Sequence, residues 1–417
     1  MGIFDIFKNP RAADSGVALD IGTEYVKSLI FEIKDKKIEV IGNGKSRQRL
    51  TDMQGGTVID ISGVVENCQK SLEQAAEMAG FLPDSVVVGI AGELIKGTIT
   101  TVHYTRSQPK QKIDYNELKK IVEKVQNRAF QKAREALSQE TGFQEIDIKL
   151  VHSAIVDVEI DGYRVANPLG FQGKDVAVSI FNTFAPIVHI SAIQGIVDEL
   201  DMDLLSVTAE PYAVARAVGL EGSQDFSAIF IDIGGGTTDI AVVRNGGLEG
   251  TKMMAIGGRS FTKKIARDLN LPFETAEEMK ISYSQELLDE KSSEIVKKSL
   301  KADCEIWLSG VQLTLEEFSG KELLPSRILL CGGASALPEI KDALESSAWH
   351  KNLSFAKKPK VEFIQTEEVN NVIDKTEKLK NPQDITPMAL ANTAMDFIGE
   401  ESLMDGVLNK VMKGFRE

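Results

Sequence analysis

The chain has 417 residues, of which 42% are hydrophobic and 26% are charged, and its formal net charge is −14. This length predicts two or more domains, and the composition is typical of a soluble globular protein. The acidic balance disfavours bulk binding to nucleic acid, so we expect no nucleic-acid partner. Three widely spaced cysteines fit neither a disulfide framework nor a zinc site, and no apolar run reaches the length of a membrane span.

The first turn signal lies close to the start of the chain. Residues 17–22 predict a buried strand that enters a turn, and residues 26–32 predict the returning strand of a hairpin. The turn carries Asp20, Gly22 and Thr23, a weak functional signal when taken alone. Lys27 lies seven residues after Asp20, on the returning strand. A lysine there is either a point charge for phosphate or a solvated strand residue.

An inserted module interrupts the alternation of strands and helices that follows. A helix is predicted at 64–78, where Gly80 stops it, and a strand is predicted at 86–91. Residues 92–166 then have a β–α–β–β pattern of their own, which predicts a small α+β insert. Beyond 174 the α/β pattern returns, with strands at 176–183 and 204–207 and helices at 186–200 and 211–219.

A second hairpin carries three consecutive glycines. A strand at 228–233 ends in Asp232 and runs into glycines 234–236, and 240–244 predicts the returning strand. Such glycines are costly in a strand but allow the backbone to approach a ligand closely, and the N–H groups of such a turn form a nest for anions. Thr237 adds a hydroxyl donor. Because Asp232 cannot face phosphate without penalty, a Mg²⁺ ion bound mostly through water is expected between them.

The later part of the chain adds two further glycine pairs. Gly257 and Gly258 precede a helical region at 259–300. A strand at 328–330 ends in Gly332 and Gly333, and a helix is predicted at 338–346.

The two Asp-x-Gly hairpins, the late Gly-Gly loop and the duplicated α/β core resemble the superfamily of actin, sugar-kinase and heat-shock-chaperone ATPases over nearly the whole chain. The resemblance implies an α/β, actin-like two-lobed fold built from duplicated ribonuclease-H-like domains, with ATP and Mg²⁺ held in the cleft. The segments that open the insert at 88–97 and close it at 161–173, with Asn167, Pro168 and Gly170, resemble subdomain 1C of the FtsA family of bacterial cell-division proteins.

This resemblance implies a division of the chain into parts. The parts are an N-terminal tail at 1–14, subdomain 1A at 15–91 and 167–208, the inserted subdomain 1C at 92–166, subdomain 2A at 209–256 and 327–398, subdomain 2B at 257–326, and a C-terminal amphipathic helix at 399–417. In FtsA-like proteins, subdomain 2B binds the tail of FtsZ.

The resemblance also implies the residues of a nucleotide site. The first phosphate loop would comprise Asp20, Gly22, Thr23 and Lys27, and the second would comprise Asp232, Gly234, Gly235, Gly236 and Thr237. The adenosine side would comprise Gly332, Gly333 and Ala334, the turn at Gly257 and Gly258, and Glu277, Lys280 and Ser284. Asp20 and Asp232 would hold Mg²⁺ through water, and Glu210 would orient the attacking or Mg²⁺-bound water. Glu277 and Lys280 are equally consistent with an ordinary surface i,i+3 pair.

The C-terminal segment has an amphipathic pattern. Its apolar half is formed by Leu403, Met404, Val407, Leu408, Val411, Met412 and Phe415, and its basic half by Lys410, Lys413 and Arg416. This pattern predicts a helix on an anionic membrane surface, although a terminal helix docked on the protein's own body shows the same pattern. The apolar start at 3–8 predicts either a minor second anchor or a frayed or docked end.

The FtsA resemblance implies a cytoplasmic, peripheral membrane protein at the division site. It would bind ATP, hydrolyse it slowly at most, and assemble into actin-like filaments. It would tether FtsZ to the cytoplasmic membrane and recruit later division proteins. The alternative is a PilM-like component of type IV pilus assembly, which shares the fold and the insert. A sugar kinase lacks a convincing catalytic Asp here, and a chaperone ATPase lacks an appended peptide-binding domain.

Overall fold

The computed structural model describes residues 14–92, 95–141, 147–165, 167–220, 226–318, 323–346 and 349–396. The predicted N-terminal anchor and C-terminal membrane helix lie outside these residues, so both stay predictions. No helix in the described ranges is long and apolar enough to cross a membrane.

Seventeen strands run through the described chain. They are β1 (Ser15–Ile21), β2 (Tyr25–Lys34), β3 (Lys37–Arg47), β4 (Met53–Gln54), β5 (Thr57–Val58), β6 (Ser85–Ile90), β7 (Lys96–Thr105), β8 (Ile148–Ile160), β9 (Tyr163–Arg164), β10 (Asp175–Pro186), β11 (Asp203–Ala209), β12 (Ala228–Ile233), β13 (Thr238–Arg244), β14 (Gly247–Met254), β15 (Arg327–Cys331), β16 (Lys360–Phe363) and β17 (Val372–Asp374).

Nine α-helices connect and cover these strands in the same ranges. They are α1 (Ile61–Ala79), α2 (Tyr115–Thr141), α3 (Ile187–Glu199), α4 (Glu210–Ala215), α5 (Gly258–Leu269), α6 (Phe273–Ser284), α7 (Glu290–Glu316), α8 (Pro338–Glu345) and α9 (Ile385–Thr393). A π-helical turn, Arg216–Leu220, continues α4.

The first sheet has six strands in the order β11-β6-β1-β2-β3-β17. Strands β1, β2 and β3 are antiparallel neighbours, while β6 and β11 run parallel to β1. Helix α1 covers this sheet. It begins at Asp60, whose side chain accepts a hydrogen bond from the Ser62 N–H, and it ends at Gly80 with φ 83°. The glycine stop predicted from the sequence is therefore confirmed, because only glycine adopts this left-handed conformation at little cost.

The second sheet has nine strands in the order β16-β15-β12-β13-β14-β7-β10-β8-β9. The strand predicted at 176–183 lies within the range 167–208 that the resemblance implies for subdomain 1A. In the structure it is part of β10, which pairs on one edge with β7 and on the other with β8, both strands of the predicted insert. An apolar strand pattern does not reveal its sheet partners, so this pairing could not be predicted from the sequence. The domain boundaries themselves stay predictions.

Helix α9 is buried along its whole length. All nine of its residues are buried, and it packs against β1, β2, β6 and α4. A helix with apolar residues all round its circumference is stable only when it is covered on every side. Its first turn carries Thr386, and the loop before it carries Gln383, so α9 fixes one wall of the cavity described below.

Candidate functional site

The turns of the two predicted hairpins, β1–β2 and β12–β13, meet at one cavity of about 360 Å³. Most of the predicted site residues line it: Asp20, Gly22, Thr23, Lys27, Glu210, Asp232, Gly234, Gly235, Thr237, Gly258, Glu277, Lys280, Ser284, Gly332, Gly333 and Ala334. Gly236 and Gly257 are not among the lining residues. The structure thus brings together residues that lie more than 300 positions apart in the chain.

The glycines of the second hairpin allow the two turns to touch each other. A Cβ atom at Gly235 would lie 2.6 Å from the Cβ atom of Glu24, and one at Gly236 would lie 2.5 Å from the Thr23 hydroxyl oxygen. Such distances are too short for real Cβ contacts. The sequence pattern predicts that these glycines allow the close approach of a ligand. At these two positions the approaching group is the backbone and side chains of the first hairpin.

The start of helix α5 holds the second turn in place. The Gly258 N–H donates to the Gly234 carbonyl oxygen at 2.9 Å, and the Arg259 N–H donates to the Gly235 carbonyl oxygen at 2.7 Å. Helix N-termini have unpaired N–H groups that need such acceptors. A Cβ atom at Gly257 would lie 2.8 Å from the Gly234 oxygen, which explains the glycine there although it does not line the cavity.

Gly332 closes the cavity from the side of β15. Its φ is +85°, and a Cβ atom there would lie 2.1 Å from an Asp232 carboxylate oxygen. Its N–H donates to the Pro382 carbonyl oxygen at 2.9 Å. Glycine is therefore required both by the backbone conformation and by the contact with Asp232.

Four buried carboxyl groups surround the deep end of the cavity: Asp20, Glu210, Asp232 and Asp239. Burial, followed by repulsion from Asp20, raises the pKa of Glu210 well above its usual value. Burial also raises the pKa values of Asp232 and Asp239, although Thr386, which donates a hydrogen bond to Asp232, opposes the shift there.

One cation partly balances this acidic cluster. Lys27 Nζ lies 2.9 Å from an Asp20 carboxylate oxygen. Burial alone would lower the pKa of Lys27, but attraction to Asp20 outweighs it and raises that pKa. One carboxylate oxygen of Asp239 is buried without a hydrogen-bond partner in the described part of the chain. The cluster therefore has unbalanced negative charge, which a cation would relieve.

Replacing Glu210 with glutamine is expected to stabilise the protein alone at pH 8, by about 1–3 kcal/mol, because a glutamine is neutral without taking up a proton on folding. The pKa of Glu210 is raised above 4.5 in the folded protein. Its protonated side chain therefore makes its full contribution to the free energy of unfolding below pH 4.5, and this contribution is lost as the pH rises through the raised pKa. The gain should therefore shrink as the pH falls from 8 to 5.5.

Urea unfolding of both proteins across this pH range measures the difference. The exposed Glu199, at the end of α3, provides the control, and its glutamine variant should show no such trend. A Glu210→Gln gain that is independent of pH would contradict the account.

Glu277 and Lys280 are buried, with exposed fractions of 3% and 7%. Lys280 Nζ lies 2.8 Å from Glu277, and it donates to the Gly258 carbonyl oxygen at 3.0 Å and to the Thr262 hydroxyl at 2.8 Å. The interpretation as an ordinary surface pair is therefore wrong. This ion pair instead fixes α6 to the start of α5, beside the cavity.

An ion-pair bridge that was not predicted from the sequence joins two of the elements that line the cavity. Glu24 accepts from Arg47 at 2.7 Å and from Arg259 at 2.7 Å, and Arg259 also donates to the Met53 carbonyl oxygen at 2.9 Å. Glu24 and Arg259 are both buried. Nothing in the sequence pairs residues 235 positions apart, although Glu24 lies directly beside the predicted first turn.

Three more lining residues were also missed: Tyr25, Lys45 and Gln383. The lysine ammonium lies 3.8 Å from the centroid of the Tyr25 ring and donates to the Gln383 side-chain oxygen at 2.9 Å. The alternation of β3 could have placed Lys45 on the same face as Lys27, but only the fold brings Gln383 to it.

Comparisons with known proteins agree with the sequence resemblance. The family profile described as "Cell division protein FtsA" matches residues 229–389, a range that contains the second hairpin and Gly332. The chain is 27% identical to the FtsA protein of Pseudomonas aeruginosa over 342 residues, covering 77% of this chain and 78% of that protein. It is also 27% identical to the FtsA protein of Neisseria meningitidis over 348 residues, covering 78% and 80%.

Solved structures with a similar fold come from other systems. The chain superimposes on a chain of the PilM–PilN type IV pilus biogenesis complex with a TM-score of 0.64 and 16% identity, covering 90% of this chain and 97% of that one. It superimposes on the ethanolamine utilization protein EutJ of Carboxydothermus hydrogenoformans with a TM-score of 0.50 and 16% identity, covering 94% and 93%. These likenesses confirm the predicted actin-like fold.

Proposed function

Because the chain is homologous to the cell-division protein FtsA and has an actin-like fold, we propose that it is an ATP-binding division protein. In this proposal it forms filaments, tethers FtsZ to the cytoplasmic membrane and recruits later division proteins. The observation that carries the proposal is the meeting of the two Asp-Gly hairpins at one cavity, in a chain that is similar in sequence to FtsA proteins.

The cavity suits a nucleotide in size and chemistry. Its volume of about 360 Å³ is within the range of small-molecule sites. The proposal places the phosphate chain at the two turns and Lys27, and the adenosine between the Gly332 loop and α6. Tight backbone turns and a lysine are groups that recur in phosphate sites.

The acidic residues at the deep end suit a hydrated Mg²⁺ ion. In the described ranges, no group of three or more Asp, Glu, His or Cys side chains is arranged to hold a metal directly. Mg²⁺ commonly keeps several waters and uses only one or two carboxylates together with substrate phosphates. Asp20 and Asp232 would hold it in this way, and the ion would neutralise charge between the carboxylates and the phosphates.

Glu210 would orient water near the terminal phosphate. A general base must be ionised to accept a proton, and burial raises the pKa of Glu210 well above its usual value. The raised pKa therefore supports slow hydrolysis at most, whereas tight binding of Mg·ATP is assigned to the two turns and Lys27.

Membrane tethering is assigned to the C-terminal segment, and a matched pair of variants tests it. Val411→Glu places a charge on the apolar half of the predicted helix, whereas Asn409→Glu places the same charge on the polar half. Val411→Glu is expected to release the full-length protein from anionic liposomes, at least ~10-fold, because the apolar face would be buried in the interface. Co-sedimentation with liposomes measures this.

The same assay tests the tethering of FtsZ. With the unaltered chain and Mg·ATP, purified FtsZ should pellet with the liposomes, and with Val411→Glu it should stay in the supernatant. Continued pelleting of Val411→Glu, or equal release by Asn409→Glu, would contradict the membrane helix. FtsZ that stays in the supernatant while the unaltered chain pellets would contradict the tether.

The likeness to the PilM–PilN complex favours one alternative, a cytoplasmic component of pilus assembly. The two functions differ in the peptide that is bound. Binding of the FtsZ C-terminal tail supports the division role, whereas binding of a short cytoplasmic peptide from an inner-membrane pilus protein, without FtsZ binding, would support the alternative.

A further inference from the structure

A row of three charged residues crosses the first sheet at the cavity. Asp20 on β1 is the cross-strand partner of Lys27 on β2, and Lys27 is in turn the cross-strand partner of Lys45 on β3. Side chains in one such row point to the same face of a sheet. All three residues line the cavity. The row therefore presents one carboxylate and two ammonium groups to the same space.

The two lysines differ in how their charges are balanced. Lys27 forms an ion pair with Asp20 at 2.9 Å. Within the described ranges, no carboxylate lies within ion-pair distance of Lys45, whose ammonium contacts the Tyr25 ring and the neutral Gln383 side chain. Like charges directly opposite each other on neighbouring strands are destabilising. The pair of lysines thus carries a cost that an anion in the cavity would remove.

The pKa of Lys45 is lower than that of an ordinary lysine. Burial, and then repulsion from Lys27, lowers the pKa of Lys45 to about 8. Several charged or titratable groups face it from the surrounding elements: Asp20 on β1, Tyr25 and Lys27 on β2, Glu24 in the first turn, and Asp384 before α9. The acidic groups among them oppose the shift without cancelling it.

The hydrogen bond to Gln383 also places Lys45 near the glycine loop after β15. A Cβ atom at Gly333 would lie 3.8 Å from the Cβ atom of Gln383, and the neighbouring Pro382 accepts the Gly332 N–H. Lys45 therefore lies within reach of the space between the first hairpin and the glycine loop after β15. A ligand that spans the two hairpins and this loop passes beside its ammonium group.

Resting on the proposed nucleotide function, we propose that Lys45 is a second phosphate-binding cation of the site, which exchanges Gln383 for a phosphate oxygen when a nucleotide binds. The exchange gives the second lysine the anionic partner that it lacks in the protein alone. The aromatic contact with Tyr25 can persist, because a cation over a ring face keeps its other donors free.

Proton uptake on binding distinguishes this role from a purely structural one. A phosphate partner favours the charged form of Lys45, so nucleotide binding should be accompanied by protonation of this side chain. With a pKa of about 8 in the free protein, the expected uptake at Lys45 is about 0.8 proton at pH 8.5 and about 0.1 proton at pH 7. ATP affinity should accordingly fall as the pH rises above 8.

Isothermal titration of ATP in two buffers with different ionisation heats measures both affinity and proton uptake. At pH 8.5, Lys45→Met is expected to bind ATP about 10-fold more weakly at the least, and to lose the uptake that the unaltered chain shows. Lys45→Arg should restore affinity but not uptake, because a guanidinium does not titrate in this range. Lys34→Met, an exposed change on the same β2–β3 hairpin, should leave both quantities unchanged.

The outcomes separate this inference from the proposed function. If the unaltered chain binds ATP, and Lys45→Met binds it equally well with equal proton uptake, the inference is overturned and the nucleotide site stands. If the unaltered chain binds no adenine nucleotide, the proposed function is overturned and the inference with it. Weaker binding by Lys45→Met, with the uptake lost and with rescue by Lys45→Arg, supports the inference.

Discussion

Valine at position 235 is expected to abolish ATP binding, lowering the affinity at least ~100-fold, because a branched side chain there separates the two hairpins. A Cβ atom at Gly235 would already lie 2.6 Å from the Glu24 Cβ atom and 3.1 Å from the Glu24 nitrogen. Backbone cannot give way like the end of a flexible side chain, so the first turn must move. That movement would displace one of the two turns that are proposed to bind the phosphates.

A matched control separates this effect from general damage. Gly195 lies in α3 with no atom within 4 Å of a Cβ atom placed there, so Gly195→Val should bind ATP normally. Titration calorimetry with Mg·ATP and far-ultraviolet circular dichroism of each variant would measure binding and folding separately. Unchanged ATP affinity in a folded Gly235→Val protein would refute the role assigned to the second turn.

Replacing Arg259 with methionine has the second large expected effect. Arg259 joins the start of α5 to Glu24 and to the Met53 carbonyl oxygen, and its side chain is only 9% exposed. Removing one partner of a buried ion pair costs about 3–5 kcal/mol, because the remaining charge stays buried. We expect a loss of about 3 kcal/mol in the free energy of unfolding, since Arg47 still faces Glu24.

The loss of this bridge should also speed the release of ATP, because Arg259 ties the start of α5 to the first turn and both line the cavity. Stopped-flow dissociation of a fluorescent ATP analogue measures the rate, and guanidinium unfolding measures the stability. On the same helix, Arg267 has a side chain that is 74% exposed, so Arg267→Met should change the stability by less than about 0.5 kcal/mol. Equal effects of the two substitutions would show that the bridge has no special role.

The hairpins were predictable because their signals are local. A short apolar strand, an Asp, one or more glycines and a returning strand specify a turn within a few residues, as at Asp20 and Asp232. The recurrence of this unit in one chain led to the prediction of an actin-like fold, which the comparisons confirm. The end of α1 at Gly80 was predictable for the same reason, since the left-handed conformation favours glycine.

The missed residues depend on contacts that no local pattern contains. Arg259 meets Glu24, and Lys45 meets Gln383, only after the chain has folded across hundreds of residues. The ambiguity of the Glu277–Lys280 pair has the same origin, because i,i+3 spacing fits both a surface pair and a buried one. The sheet partners of β10 could not be predicted, since hydrophobic alternation reports burial and not sheet partners.

The central claim is that one nucleotide is gripped by both hairpins at once, and hydrogen–deuterium exchange tests it most directly. Peptides covering residues 20–27 and residues 232–240 should both exchange more slowly when Mg·ATP is added to the full-length protein. The slowing should be at least ~10-fold in each, since a bound triphosphate would hold both turns closed. Protection of only one of the two segments, or of neither, at saturating Mg·ATP would contradict the account.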